Sequence, residues 1–105
     1  MEDIKKTIRY SELVDIYHSL LTKTQSDILI DYFHYDLSLS EIASSRNVSR
    51  AAVEDALSKG SKKLDEFEDK LRIYEKRLEI LKNTAKLKRN EENSEIIDEI
   101  ERLVK

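Results

Sequence analysis

Apolar residues along this chain recur at three- and four-residue intervals, the spacing that lines one face of a helix. Ile8, Leu13, Ile16, Tyr17, Leu20 and Leu21 form a first stripe and predict a helix from about Thr7 to Leu21. Thr22 has the short hydroxyl side chain that caps a helix N-terminus. Ile28, Leu29, Tyr32, Phe33 and Tyr35 mark the helix it opens, and Asp27 and Asp31 fall on its expected solvated face.

The sharpest local signal starts at Ser38. Ser38-Leu39-Ser40-Glu41 fits a capping box, in which the serine side chain and the glutamate three residues on each satisfy a free backbone N–H. Leu39, Ile42 and Ala43 then face inward. Asn47 stands where the chain needs a left-handed residue to leave the helix, a conformation asparagine tolerates, and Ser49 offers the next N-cap. A short helix, a turn of about three residues and a new helix make the helix-turn-helix layout.

The helix opened at Arg50 has no evident stop. Val53, Leu57, Gly60, Leu64, Phe67, Leu71, Tyr74, Leu78, Leu81 and Ala85 alternate four and three apart, a heptad seam. Gly60 is its weak point, about 1 kcal/mol worse than alanine in a helix interior, and predicts either a bend or another helix crossing closely. Leu87 to Asn93 reads as a charged hinge that includes Arg89. Ser94 is then expected to cap a final amphipathic helix carrying Ile96, Ile97, Ile100, Leu103 and Val104. The stripe from Leu64 to Ala85 is about 32 Å long at 1.5 Å per residue, more than a compact domain of this size covers, so a homodimer is expected. The corresponding division is 1–63 for the helix-turn-helix domain and 64–105 for the long-helix extension with the C-terminal helix.

Composition agrees with helices: the 105 residues include one glycine and no proline, and strands depend on turns that draw on both. The absence of cysteine excludes disulfides, thiolate metal sites and cysteine nucleophiles. His18 and His34 lie sixteen residues apart on different predicted helices without a spaced second ligand. One glycine cannot build a phosphate-cradling loop, and the acidic residues lie among Lys and Arg on helix faces. The chain therefore reads as a non-enzyme with no cofactor, metal or small-molecule substrate. No apolar run approaches the roughly 18 residues of a membrane span, and Met1 to Tyr10 lacks the apolar stretch of a signal peptide, so a cytoplasmic location is expected.

The net charge of −3 is uneven. Residues 1–37 carry 4 basic and 7 acidic groups, 38–63 carry 5 and 3, and 64–105 carry 10 and 12, so only the middle stretch is net positive. That stretch holds the candidate reader of nucleic acid. With Val53, Leu57 and Gly60 turned inward, Ala51, Asp55, Ser58 and Lys62 centre the outward side, flanked by Arg50 and Glu54. Arg50 can pair with phosphate or guanine, and Ala51 and Ala52 can touch a thymine methyl. Lys59, Lys62 and Lys63, further along, can hold only the backbone. Glu54 and Asp55 oppose this reading, since phosphates repel carboxylates. RNA is open to the same electrostatics, but no aromatic platform interleaves with the basic residues in the sequence; Tyr10, Tyr17, Tyr32, Phe33, Tyr35, Phe67 and Tyr74 sit mainly on apolar stripes.

The run Leu21-Thr22, Gln25, Ile28-Leu29, Tyr32-Phe33, Leu37 to Ala43 and Val48-Ser49-Arg50-Ala51-Ala52-Val53 resembles region 4 of bacterial sigma factors. With Tyr10, Tyr17, the Leu20-Leu21-Thr22 start and the Leu64, Phe67-Glu68, Leu71, Tyr74 tail, the chain from Ile8 to Tyr74 is similar to the YlxM family. These are bacterial helix-turn-helix proteins associated with the signal recognition particle. Asn47 departs from the glycine usual there. The resemblance implies an all-α bundle with a sigma-region-4-like helix-turn-helix, a long helix and a short C-terminal helix. It also implies a regulatory role in the signal recognition particle pathway. Two functions are open. One is a nucleic-acid-binding regulator, touching DNA or the particle's RNA or protein through Ser49, Arg50, Ala51, Glu54, Lys59, Lys62 and Lys63. The other is a protein interaction module that keeps the scaffold without reading DNA.

Overall fold

Thr22 and Ser38 each open a helix, and each does so reciprocally. In the computed structural model, which describes residues 2–88 and 90–105, the Gln25 N–H donates to Thr22 Oγ1 at 3.2 Å and the Thr22 N–H to Gln25 Oε1 at 3.4 Å. The Glu41 N–H donates to Ser38 Oγ at 3.1 Å and the Ser38 N–H to Glu41 Oε1 at 3.0 Å. Bonding from the Ser38 backbone, then its hydroxyl, holds the Glu41 carboxyl below its ordinary value. That part of the cap is present above the carboxyl's unfolded value and is lost as pH falls through the lower folded one.

The helices are α1 Glu2–Tyr17, α2 Lys23–Phe33, α3 Leu39–Arg46, α4 Arg50–Leu71, α5 Ile73–Leu87 and α6 Ser94–Val104. Short 3-10 turns at His18–Leu20 and Glu91–Asn93 precede α2 and α6. The first helix thus starts earlier than its apolar stripe suggests and tightens before Leu21. The chain forms two units, Met1–Leu71 and Arg72–Lys105.

In the first unit the core lies where α2, α3 and α4 meet. Ile28, Ile42 and Val53 are buried together, with Leu37, Leu39, Ala43, Ala56 and Leu57 packed partly buried against them. Each fully buried aliphatic side chain of this kind contributes about 1.5–3 kcal/mol. Leu13, Val14 and Tyr17 bury the inner face of α1, whereas Ile8 and Leu20, expected on that stripe, are more than half exposed. Three polar contacts fasten α1 to α4. Arg9 Nη1 lies 2.8 Å from Asp65 Oδ1, the Tyr10 hydroxyl donates to Asp65 Oδ2 at 2.7 Å, and the Tyr17 hydroxyl donates to Glu68 Oε1 at 2.7 Å. Burial and then the bond to Asp65 hold the Tyr10 phenol above its ordinary value, so it remains a neutral donor.

The close crossing expected at Gly60 is with α2: a Cβ on Gly60 would stand 2.7 Å from Leu29 Cδ1. Asn47 leaves α3 in the left-handed region at φ 55, and its N–H reaches the carbonyls of Ala43 and Ser44. Because a left-handed conformation costs an ordinary L residue roughly 1–2 kcal/mol, Asn47→Ala should lower stability by about 1 kcal/mol. Asn47→Gly, free of that steric cost, should be neutral or better. Urea unfolding midpoints measure both.

Three expectations fail. The helix opened at Arg50 ends at Leu71, because Arg72 takes a left-handed conformation at φ 53 and starts a new helix. The heptad seam is therefore not one continuous rod. Val53, Gly60 and Leu64 bury it in α4, while Leu71 and Leu78 are about half exposed. Asp31 is not on a solvated face but is buried at 8% exposure. Ser94 is the first residue of α6 rather than its cap; Asn93 stands at the cap position and makes no side-chain cap bond. In the hinge, Asn90 Oδ1 accepts from the Glu92 N–H at 3.1 Å, and Arg89 lies outside the described residues.

Candidate nucleic-acid interface

The turn between α3 and α4 is built from three local devices. The Ser38 cap starts α3, the left-handed Asn47 ends it, and Ser49 Oγ accepts from the Ala52 N–H at 3.0 Å to start α4. A fourth device is invisible to local reading. Arg46, in the last turn of α3, places Nε 2.5 Å from Asp31 Oδ2 and Nη2 3.1 Å from Asp31 Oδ1, with Nη1 3.6 Å from Asp27. The two-pronged geometry suits a guanidinium facing a carboxylate. It clamps the end of α3 onto α2. The two acidic residues one helical turn apart were its only trace in sequence, and they looked like solvated charges.

Beyond the turn, Val53 and Gly60 point into the core and Ala51, Asp55, Ser58 and Lys62 are all exposed. The structure brings these four onto one outward stripe, as 3.6-residue periodicity requires. Arg50 Nε lies 3.4 Å from Glu54 Oε1 and Lys59 Nζ 3.1 Å from Asp55 Oδ2, with every partner more than half exposed. Glu54 and Asp55 on this outward face thus each meet a cation of the same helix. Among the described residues Lys62 and Lys63 have no ion pair; Lys62 is exposed and Lys63 half-buried. The span from Arg50 to Lys62 is about 18 Å along the axis.

Sequence order also hid a cleft. Beside the same helix lies an open hollow of about 700 Å³, walled by Tyr10, Tyr32, Phe33 and Leu57 and edged by Lys6 and Lys62. Tyr10 stacks on Phe33 at 5.3 Å between ring centroids, and Tyr32 meets Phe33 edge-on at 5.0 Å. Aromatic and basic side chains are therefore interleaved in space, although not along the chain. Core packing does not account for all the aromatics either, since Tyr35 is 69% exposed. Asp65 also edges the cleft, but Arg9 and Tyr10 already bind its two oxygens.

Among the described residues no group of three His, Cys, Asp or Glu is placed to hold a metal ion, and no helix is long and apolar enough to cross a membrane.

The family model described as "Putative helix-turn-helix protein, YlxM / p13 like" matches residues 4–104. Similar relatives include a UPF0122 protein of Fusobacterium nucleatum, 43% identical over 88% of this chain and 91% of its own length. Another, from Bacillus thuringiensis, is 40% identical over 95% of this chain and 98% of its own. A UPF0122 protein of Malacoplasma penetrans reaches 51% identity over 60% of this chain and 59% of its own. The match extends past Tyr74, where the resemblance read from sequence stopped, and takes in α5 and α6. With its all-α bundle, its helix-turn-helix and this family match over nearly its full length, the chain belongs to the UPF0122/YlxM family of helix-turn-helix proteins.

Proposed function

We propose that this protein is a regulator in the signal recognition particle pathway that binds nucleic acid through the outward face of α4 and works in the cytoplasm without a cofactor. The observation that carries the reading is the exposed stripe Ala51, Asp55, Ser58, Lys62 on a helix capped by Ser49 and set by the left-handed Asn47. Membership of the family supports the link to the particle, which the resemblance of the sequence implies. Ser49, Arg50, Ala51 and Glu54 form the end of α4 that approaches base edges or backbone, and Lys59, Lys62 and Lys63 hold phosphates. The cleft with its tyrosines and Lys62 favours RNA over a purely duplex target, because unpaired bases stack on aromatic faces.

A second reading, a protein interaction module, is favoured by the Arg50–Glu54 and Lys59–Asp55 pairs, which cancel charge on the stripe. Magnitude favours the first reading. Exposed i,i+4 pairs are worth only about 0.3–0.5 kcal/mol, so each carboxylate holds its cation weakly. A phosphate can therefore displace Glu54 or Asp55 from its cation.

Fluorescence anisotropy with random duplex DNA, the particle's RNA and the particle's protein, at low and moderate salt, tests the proposal. Saturable binding to a nucleic acid that weakens with salt is expected. Binding to the particle protein alone would overturn nucleic-acid recognition and leave the interaction module.

A further inference from the structure

The segment Arg72–Lys105 is a unit of its own, and Ile97 is its single buried apolar side chain among the described residues. Its two helices are held by a polar seam. The Thr84 hydroxyl donates to Glu101 Oε2 at 2.6 Å, and Lys88 Nζ lies 2.7 Å from Glu101 Oε1. Bonding to Lys88, then to Thr84, holds the Glu101 carboxyl below its ordinary value. Segments below about 40 residues usually need a disulfide, a metal or association with another chain to complete a core. A disulfide is impossible here, because the chain has no cysteine.

Away from that seam the hairpin presents aliphatic side chains to water. Ile80 is 37% exposed, Leu87 49%, Ile96 64% and Leu103 77%, with Ile100 half-buried between the last two. Ile80 and Leu87 stand seven residues apart on α5, and Ile96, Ile100 and Leu103 are spaced four and three on α6. Each helix thus carries one stripe beside its bonded face. With Thr84 and Glu101 fixing which faces meet, an antiparallel hairpin of right-handed helices turns both stripes to the same side.

We infer that a second copy of this chain covers this face, closing two α5–α6 hairpins into a two-fold four-helix bundle. Charge selects the occupant and the arrangement. α5 carries four basic and two acidic side chains, while α6 carries four acidic and one basic. A two-fold axis along the bundle lays each α5, net positive, over the net-negative α6 of the other copy, so the helices' net charges attract at both contacts. The perpendicular two-fold would set like on like. The favoured axis also keeps residues at the same level along the bundle. Ile80 of one copy then faces Leu103 of the other, and Leu87 faces Ile96, a self-complementary contact of the isologous kind. The contact does not depend on how α4 meets its target.

Sedimentation of the full chain gives the first test. The expected mass is about 25 kDa, twice the 12.4 kDa chain. The second test mixes an Ile80→Cys chain with a Leu103→Cys chain under mild oxidation. Each carries a single thiol, so only different chains can join. The mixed disulfide is expected to exceed both symmetric ones severalfold. A monomer persisting at about 100 μM, well above the micromolar range of specific interfaces, overturns the inference and leaves the face to another protein. A dimer whose symmetric disulfides dominate overturns the arrangement.

Discussion

Replacing Gly60 with valine is expected to lower the unfolding free energy by about 3 kcal/mol, the upper range for overpacking a filled core. The new Cβ alone would stand 2.7 Å from Leu29 Cδ1 and 3.3 Å from its Cγ, and Leu29 is fully buried, so it can give way only at the tip of its side chain. The branched Cγ atoms would then push α2 away from α4. Gly60→Ala should behave differently. It regains about 1 kcal/mol of helix propensity, which offsets much of the contact with the tip of one leucine, so its net effect should be small. Urea denaturation of both variants measures this. Combining Gly60→Val with Leu29→Ala should cost less than the sum of the two single changes, because the cavity left by one accepts the bulk of the other. Strict additivity would contradict the close crossing.

Asp31→Ala should be the next most damaging change, at about 2 kcal/mol, since it removes both oxygens that hold Arg46. Arg46 keeps 37% side-chain exposure, so water takes up part of the lost bonding and the cost stays below that of a fully buried charge. The loss should be local as well as global: amides of α3 should exchange with solvent faster than those of α2. Asp31→Asn keeps one acceptor and should cost less than half as much. Equal destabilisation by both variants would mean that the carboxylate is not the clamp.

The parts of the fold legible in the sequence are those written in short-range chemistry. Ser38 with Glu41, Asn47 and Ser49 each make bonds within three or four residues, so the turn and the start of α4 could be read directly. Gly60 was legible as an alternative, and Leu29 decides it. Two features were not legible, for different reasons. The break at Arg72 carries no glycine or proline, and apolar periodicity continues through it from Leu71 to Tyr74. One residue's change of φ leaves no mark on a hydrophobic pattern. The Asp31–Arg46 clamp joins residues fifteen positions apart on two helices, beyond any spacing rule. The cleft edged by Lys62 is of the same kind, since Lys6, Tyr10 and Tyr32 reach it from other helices.

The loss of the continuous seam also moves the basis for association. The stripe from Leu64 to Ala85 is interrupted at Arg72, whose left-handed backbone separates α4 from α5. The dimer proposed above rests instead on the aliphatic face of α5 and α6, on residues that the seam did not include, Ile80, Ile96 and Leu103 among them.

Under the proposed function, α4 holds nucleic acid electrostatically through lysines that its own carboxylates only partly mask. The most direct test is the salt dependence of binding, by anisotropy with the particle's RNA and with duplex DNA, for the wild-type chain and for a Lys59→Glu, Lys62→Glu, Lys63→Glu variant of unchanged helicity. The expected result is wild-type affinity that falls steeply as salt rises, with a log–log slope of about 0.7–0.9 per phosphate contact, and binding lost in the variant at moderate salt. Equal affinity of the two chains, or wild-type binding indifferent to salt, would rule out electrostatic holding by these lysines.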